Sequence, residues 1–160
     1  MRRHDQRLRE IESVYRSRFH HFVRVARAIT GDDDRAVEAV QDAFVGAVRA
    51  RASFRGDGPL EAWLWRSVVN AARKTGRRPP VEPLDNGEAA DPPPPVEELA
   101  PLIGRLPERQ RLIVFLRYYA DLDYRTIALA LGVETGTVSS SLAAAHAAMR
   151  KSMREVWSDA

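Results

Sequence analysis

Residues 60–77 carry six side chains suited to a polyanion: Trp63, Arg66, Asn70, Arg73, Lys74 and Arg77. Their spacing is helical, and at about 100° per residue they fall on one face. Leu60, Leu64, Val68 and Ala71 make an apolar stripe on the other. Basic head groups suit phosphates, the Asn70 amide can read a base edge, and an indole can stack on an unpaired base. Phe54 and Arg55, in the loop SFRGDGPL just ahead, are placed to join them. The competing reading is a solvated helix face with Trp63 or Trp65 filling core at its rim. Two tryptophans two residues apart point to opposite sides of a helix, so one is expected to face in and the other out.

A second constellation lies in residues 123–138. Ile127, Ala128 and Leu131 form the inner face of a short helix, Gly132-Val133 a turn, and Val138 and Leu142 the inner face of a following helix. Ala128 is small where two helices would cross, and Gly132 can take the positive φ that such a turn needs. This is the layout of a helix-turn-helix, whose second helix enters a major groove and meets base edges with its first residues. Thr135, Thr137, Ser139, Ser140 and Ser141 are then the reading candidates, with Arg125 beside them. A packing corner in a helical bundle has the same outline. The reading helix is poor in charge: Ala143, Ala144 and Ala145 follow the serines, and basic residues return only at Arg150, Lys151 and Arg154.

The elements that must position these groups are all helices. Ile11, Tyr15, Phe19, Phe22, Ala26 and Ile29 recur at three- and four-residue spacing. Gly31 breaks that pattern, and Asp32, Asp33 and Asp34 supply caps and favourable charge for the next helix, which carries Val37, Val40, Phe44 and Val48. The third helix opens at Leu60 or Glu61 and stops near Gly76. Further on, Leu99, Leu102, Ile103 and Leu106 mark a short helix. Pro107 suits the first turn of the next one, which carries Leu112, Ile113, Leu116 and Tyr119. No segment alternates as a strand does. The expected fold is all-α: two small helical domains, residues 1–78 and 96–160, joined by a Pro-rich acidic linker over 79–95. Seven of the ten prolines fall in that linker, which would span on the order of 50 Å in an extended form and leave the domains no need to touch.

Charge is distributed unevenly along the 160 residues. Residues 1–29 and 51–80 each carry a net +5, while 30–50 carry −3 and 81–108 carry −6. Polyanion binding at local patches fits this better than a uniformly basic surface. Cysteine is absent, which excludes disulfides and thiol chemistry and suits a cytoplasmic protein. No run of eighteen apolar residues and no signal peptide is present, so no membrane insertion is expected. Catalysis is not expected either: no Gly-rich phosphate loop or His pair at ligand spacing occurs, and no metal or cofactor is implied. His20 and His21, being adjacent, diverge on a helix.

Both halves resemble one family. DRAVEAVQDAFVGAVRA followed by FRGDGPLEAWLWRSVVNAARKTGRR looks like region 2 of extracytoplasmic-function (ECF) sigma factors, and LPERQRLIVFLRYYADLDYRTIALALGVETGTVSSSLAAAHAAMRK looks like their region 4. The resemblance implies a transcription initiation factor that binds core RNA polymerase and directs it to promoter DNA. Helix 34–49, with Glu38, Gln41, Asp42, Phe44 and Val45, would dock on the polymerase clamp. Loop 54–59 and the stripe through Trp63, Arg66, Asn70 and Arg73 would bind the −10 element, where a base leaves the stack. Residues 135–146 would read the −35 element, and an anti-sigma factor is the implied regulatory partner. Two departures stand out. Ser139, Ser141, Ala143 and Ala144 replace the basic residues common on the reading helix, removing bidentate guanine contacts. Weak −35 binding is therefore expected, and Ser141→Arg should strengthen it. Glu38-Ala39 stands where an acidic pair is usual.

Two other classes compete. A transcriptional regulator could use the helix-turn-helix alone, with the first domain for dimerisation or sensing; the Trp63–Arg77 stripe argues against it. A helical protein-binding adaptor would leave both basic surfaces without a purpose.

Overall fold

The computed structural model describes residues 2–76 and 100–159; the expected linker, Arg77 and Leu99 lie outside them. Three helices make up the first half: α1 (Arg2–Thr30), α2 (Asp33–Arg49) and α3 (Leu60–Thr75). Gly31, at φ 72°, ends α1 and donates its N–H to the Arg27 carbonyl. Asp32 then caps α2, its carboxylate accepting from the Arg35 N–H at 3.1 Å. A 3-10 turn (Arg51–Ser53) leads into the loop before α3, and α3 stops at Gly76, φ 78°.

Aromatic rings knit the three helices. Phe22 of α1 lies 4.1 Å from Trp65 of α3 and 5.1 Å from Phe44 of α2, ring centre to ring centre, with Tyr15 4.8 Å from Phe44. Trp65 is the inward tryptophan, fully buried, and its Nε1–H donates to Glu61. Such a ring buries a large apolar area while its single donor stays satisfied.

The second half comprises α4 (Ala100–Gly104), α5 (Glu108–Val114), α6 (Tyr124–Leu131) and α7 (Thr135–Ser158). Pro107 sits one residue earlier than expected, at the cap of α5. The helix expected to run through Tyr119 instead widens into a π turn (Phe115–Tyr119), with Ala120 N–H bonded to the Phe115 carbonyl. Asp121, at φ 54°, then swings the chain toward α6. Asp123 caps α6 through the Thr126 N–H at 2.7 Å, and Gly132 adopts the left-handed conformation, φ 67°, that closes it. Val138, Leu142 and Ala145 hold α7 against α5 and α6. No strand occurs among the described residues.

The halves touch, although the length of the expected linker gave them no need to. α3 packs on α6, and α1 on α5 and the π turn. Their buried residues form one contiguous cluster from Ile11 to Ala145. The cause is visible on α3. Besides Leu64 and Val68, it buries Ala62, Trp65, Val69 and Ala72, while Leu60 and Ala71 are only half-buried. One apolar stripe suffices for a single neighbour, but α3 has three: α1, α2 and α6. At the seam, Arg18 donates to the Ala120 carbonyl at 3.3 Å, Arg24 lies over the Tyr119 ring at 4.5 Å, and Arg73 pairs with Glu108 at 3.0 Å.

Candidate nucleic-acid interface

The loop before α3 builds an aromatic pocket. Phe54 leaves the 3-10 turn in an extended conformation, and its ring centre lies 5.4 Å from that of Trp63, the outward tryptophan. Gly56 takes φ 80°, and Pro59 starts α3. Between them opens a pocket of about 260 Å³, whose wall includes Phe54, Arg55, Asp57, Trp63 and Arg66. Two half-buried rings flanked by two exposed guanidiniums can hold an unstacked base and its phosphates. Asn70, Arg73 and Lys74 continue the stripe along α3, all exposed.

That surface is partly covered. Leu129 of α6 closes one side of the pocket, lying so near Gly58 that a methyl there would meet its Cδ1 at 2.9 Å. The Arg66 guanidinium reaches the turn before α7, where a methyl on Gly132 would sit 3.8 Å from its Nη2. Arg73 is engaged by Glu108. The candidate interface of one half is thus a packing face for the other.

Arg125, Thr135, Ser139 and Ser140 are exposed at the helix-turn-helix, whereas Thr137 and Ser141 are half-buried. Ser140 turns its hydroxyl back to the Thr137 carbonyl. The Asp123 carboxyl is held below its ordinary range by its side-chain and backbone hydrogen bonds to Thr126, so the cap keeps its charge. On α2, Glu38, Gln41, Asp42 and Val45 are exposed, while Phe44 is core, 6% exposed. Phe44 forms the floor of a groove of about 470 Å³ between α1 and α2, with Tyr15, Leu8 and Val45 along it.

Comparison with known proteins matches residues 14–78 to sigma-70 region 2 and residues 97–149 to sigma-70 region 4. The ECF RNA polymerase sigma-E factor of Escherichia coli K12 is 35% identical over 134 residues, covering 70% of each chain. The chain belongs to the ECF sigma factors. The RNA polymerase sigma-H factor of Pseudomonas aeruginosa is 29% identical over 151 residues, covering 81% of this chain and 78% of that one. Among solved structures, CnrH in complex with the cytosolic domain of CnrY superposes with a TM-score of 0.72 at 22% identity over 95% of both chains. The Bartonella quintana sigma factor RpoE, bound to the anti-sigma factor NepR, gives 0.68 at 19% identity over 91% of this chain and 97% of that one.

As a sigma factor the chain directs RNA polymerase to promoters. The first half is region 2, which sets aside the regulator with a dimerisation or sensor domain. Two features of this sigma factor escaped sequence reasoning. Leu129 had a signal, an apolar residue off the inner face of a short helix, which marks a neighbour on that side. Arg7, whose guanidinium lies 4.5 Å from the Phe54 ring centre, had none, because only the folded loop brings residue 54 beside the start of α1. His21 is also placed by the seam: its Nδ1 is buried without a hydrogen-bond partner, and its ring lies 6.2 Å from Tyr119. Burial, then the charges of Arg18 and Arg24, push its pKa down.

Proposed function

We propose that loop 54–59 and α3 bind the −10 element as an opened strand, with one base between Phe54 and Trp63. Arg55, Arg66, Arg73 and Lys74 would contact its backbone and Asn70 a base edge, and Arg77, which lies outside the described residues, is assigned to the same basic set. The pairing of two rings with flanking guanidiniums around one open pocket carries this reading, because duplex DNA has no unstacked base to offer them. Strand binding then requires α6 to leave α3, since Leu129 and Glu108 occupy part of the surface. The exposed edge of α2, with Glu38, Gln41, Asp42 and Val45, is the docking face for core polymerase. Phe44 supports it from below. Arg125 and the start of α7, from Thr135 to Ser141, face the −35 element with hydroxyls and methyls rather than guanidiniums.

Residues 1–78 and 96–160 act as the two DNA-binding units in this scheme, joined by 79–95, and the factor works in the cytoplasm without enzymatic activity. An anti-sigma factor is the proposed regulator: both solved structures named above are complexes with a second protein, and this chain's own closed seam is a state that such a partner could hold. Among the described residues no single helix is long and apolar enough to cross a membrane.

Two measurements test the scheme. Size-exclusion chromatography with bacterial core polymerase should give a stable complex that Asp42→Ala with Val45→Ala weakens. Trp63→Ala should weaken binding of an opened −10 strand while leaving that complex intact. A complex insensitive to both α2 changes would move the docking face elsewhere.

A further inference from the structure

A basic cleft at the start of α1 borders the −10 surface, sharing Phe54 and Arg55 with it, and adds residues that neither candidate surface includes. Arg3, His4 and Arg7 of α1 face Arg51 of the 3-10 turn and Arg55 of the loop across a cleft of about 320 Å³, with Phe54 in its wall. None of the residues lining it is acidic. Outside the lining, Glu10 pairs with Arg7 at 3.1 Å. Arg51 spends one nitrogen on the Val48 carbonyl, at 2.6 Å, and its buried Nε has no hydrogen-bond partner. Four guanidiniums sharing one small space repel each other, and a row of anionic groups would relieve that repulsion.

The position of the cleft says which anion fits. Phe54 and Arg55 line both this cleft and the Phe54–Trp63 pocket, so the two lie side by side. A strand with a base in the pocket must carry its phosphates out past the pocket's rim, and this cleft offers four guanidiniums where the pocket wall has two. No residue of the second half lines the cleft, whereas Leu129 closes part of the pocket. The cleft is therefore open to a strand even while α6 covers α3.

We propose that Arg3, His4, Arg7 and Arg51 form a phosphate cradle that grips the backbone of the single DNA strand whose base enters the Phe54–Trp63 pocket. The inference rests on the −10 reading above. It adds a sequence-independent grip supplied by the first two turns of α1. Each phosphate neutralised on a single strand adds about 0.7 to the salt slope of binding. The Arg7 guanidinium, already set over the Phe54 ring, would contact the strand at little further cost in side-chain entropy.

The test uses the full chain and a fluorescein-labelled oligothymidine strand, read by anisotropy across a salt series. Arg3→Gln with Arg7→Gln should reduce the slope of log Kd against log salt by about 1.4, and weaken binding at low salt by roughly 10- to 100-fold. Arg16→Gln with Arg27→Gln removes the same charge from α1 outside the cleft, where those side chains pair with Glu12 and Asp33, and should leave the slope unchanged. Arg3→Lys with Arg7→Lys should keep it. Far-UV circular dichroism melts establish that each variant folds. Equal slopes for the Arg3/Arg7 and Arg16/Arg27 pairs would overturn the cradle, as would a wild-type chain that does not bind the strand at all. Trp63→Ala separates the two claims: loss of affinity at an unchanged slope supports the base pocket, and no loss removes that reading while the cradle stands on its own slope.

Discussion

Replacing Leu129 by Ala should make this sigma factor bind single-stranded DNA more tightly. The side chain is 38% exposed, so roughly three fifths of a leucine is covered where α6 meets the loop before α3. At about 25 cal/mol per Å² of apolar area, truncation to Ala forfeits on the order of 1 kcal/mol of that contact. The exposed Arg73–Glu108 pair adds little to hold the seam, since such pairs contribute about 0–1 kcal/mol. A loss of 1 kcal/mol shifts the closed-to-open equilibrium about fivefold. A strand that needs the open form gains apparent affinity in proportion to the open fraction, up to the same factor. Leu129→Glu, which places a charge against Gly58 and Phe54, should do more. Anisotropy with the oligothymidine strand reads the affinity. Because the chain has no cysteine, dyes on Ser13→Cys and Ala147→Cys report the separation of the halves by energy transfer. The expected pattern is tighter binding together with lower transfer. Lower transfer with unchanged affinity would refute the argument that α6 masks the strand site, and neither change would show that Leu129 does not hold the seam.

Three further outcomes follow from the same geometry. Trp65→Ala removes a fully buried ring from the contact with Phe22 and should cost about 3–5 kcal/mol, a drop in Tm of roughly 10 °C by calorimetry. Asp123→Ala loses the cap of α6 and should cost about 1 kcal/mol by urea titration. The Asp123 carboxyl is depressed in the folded chain, so its contribution is complete above the unfolded value near ~3.9 and disappears as pH falls through the lower, folded value. In Asp123→Ala that part of the acid dependence should vanish. His21, whose pKa is lowered by burial and by Arg18 and Arg24, should titrate in a two-dimensional NMR series with a midpoint below the ordinary ~6.5. Protonation is disfavoured in the folded state, so stability is untouched above ~6.5 and declines as pH falls from there toward the folded value. His21→Phe should flatten that decline.

The helices were legible because each carries its own signals. Asp32 and Asp123 stand at the first position where a side chain can satisfy a free N–H, and Gly31, Gly76 and Gly132 stand where the backbone needs positive φ. That one of Trp63 and Trp65 faces in and the other out also followed from their spacing; the fold makes Trp65 the buried one. The seam was not legible. A 3.6-residue period reports that a helix has a buried stripe but not how many partners it has, and α3 has three. Likewise the π turn at 115–119 depends on where α6 must begin, not on the local residues, which continue the helical pattern.

The closed seam and the uncharged start of α7 bear on each other. If Ser139, Ser140 and Ser141 form the reading end as proposed, region 4 would have few charge-assisted contacts to offer duplex DNA, and releasing it from α3 would bring only a weak gain on the −35 side. On the proposed reading, the balance between closed and open forms would be set mainly by what α3 gains, namely a base between Phe54 and Trp63 and phosphates along Arg66 and Arg73. A strand gripped first in the cleft of Arg3, Arg7 and Arg51 competes with Leu129 as a tethered ligand at high local concentration. On that reading region 2 would drive the opening of the seam by itself, and region 4 would contribute chiefly by ceasing to cover it.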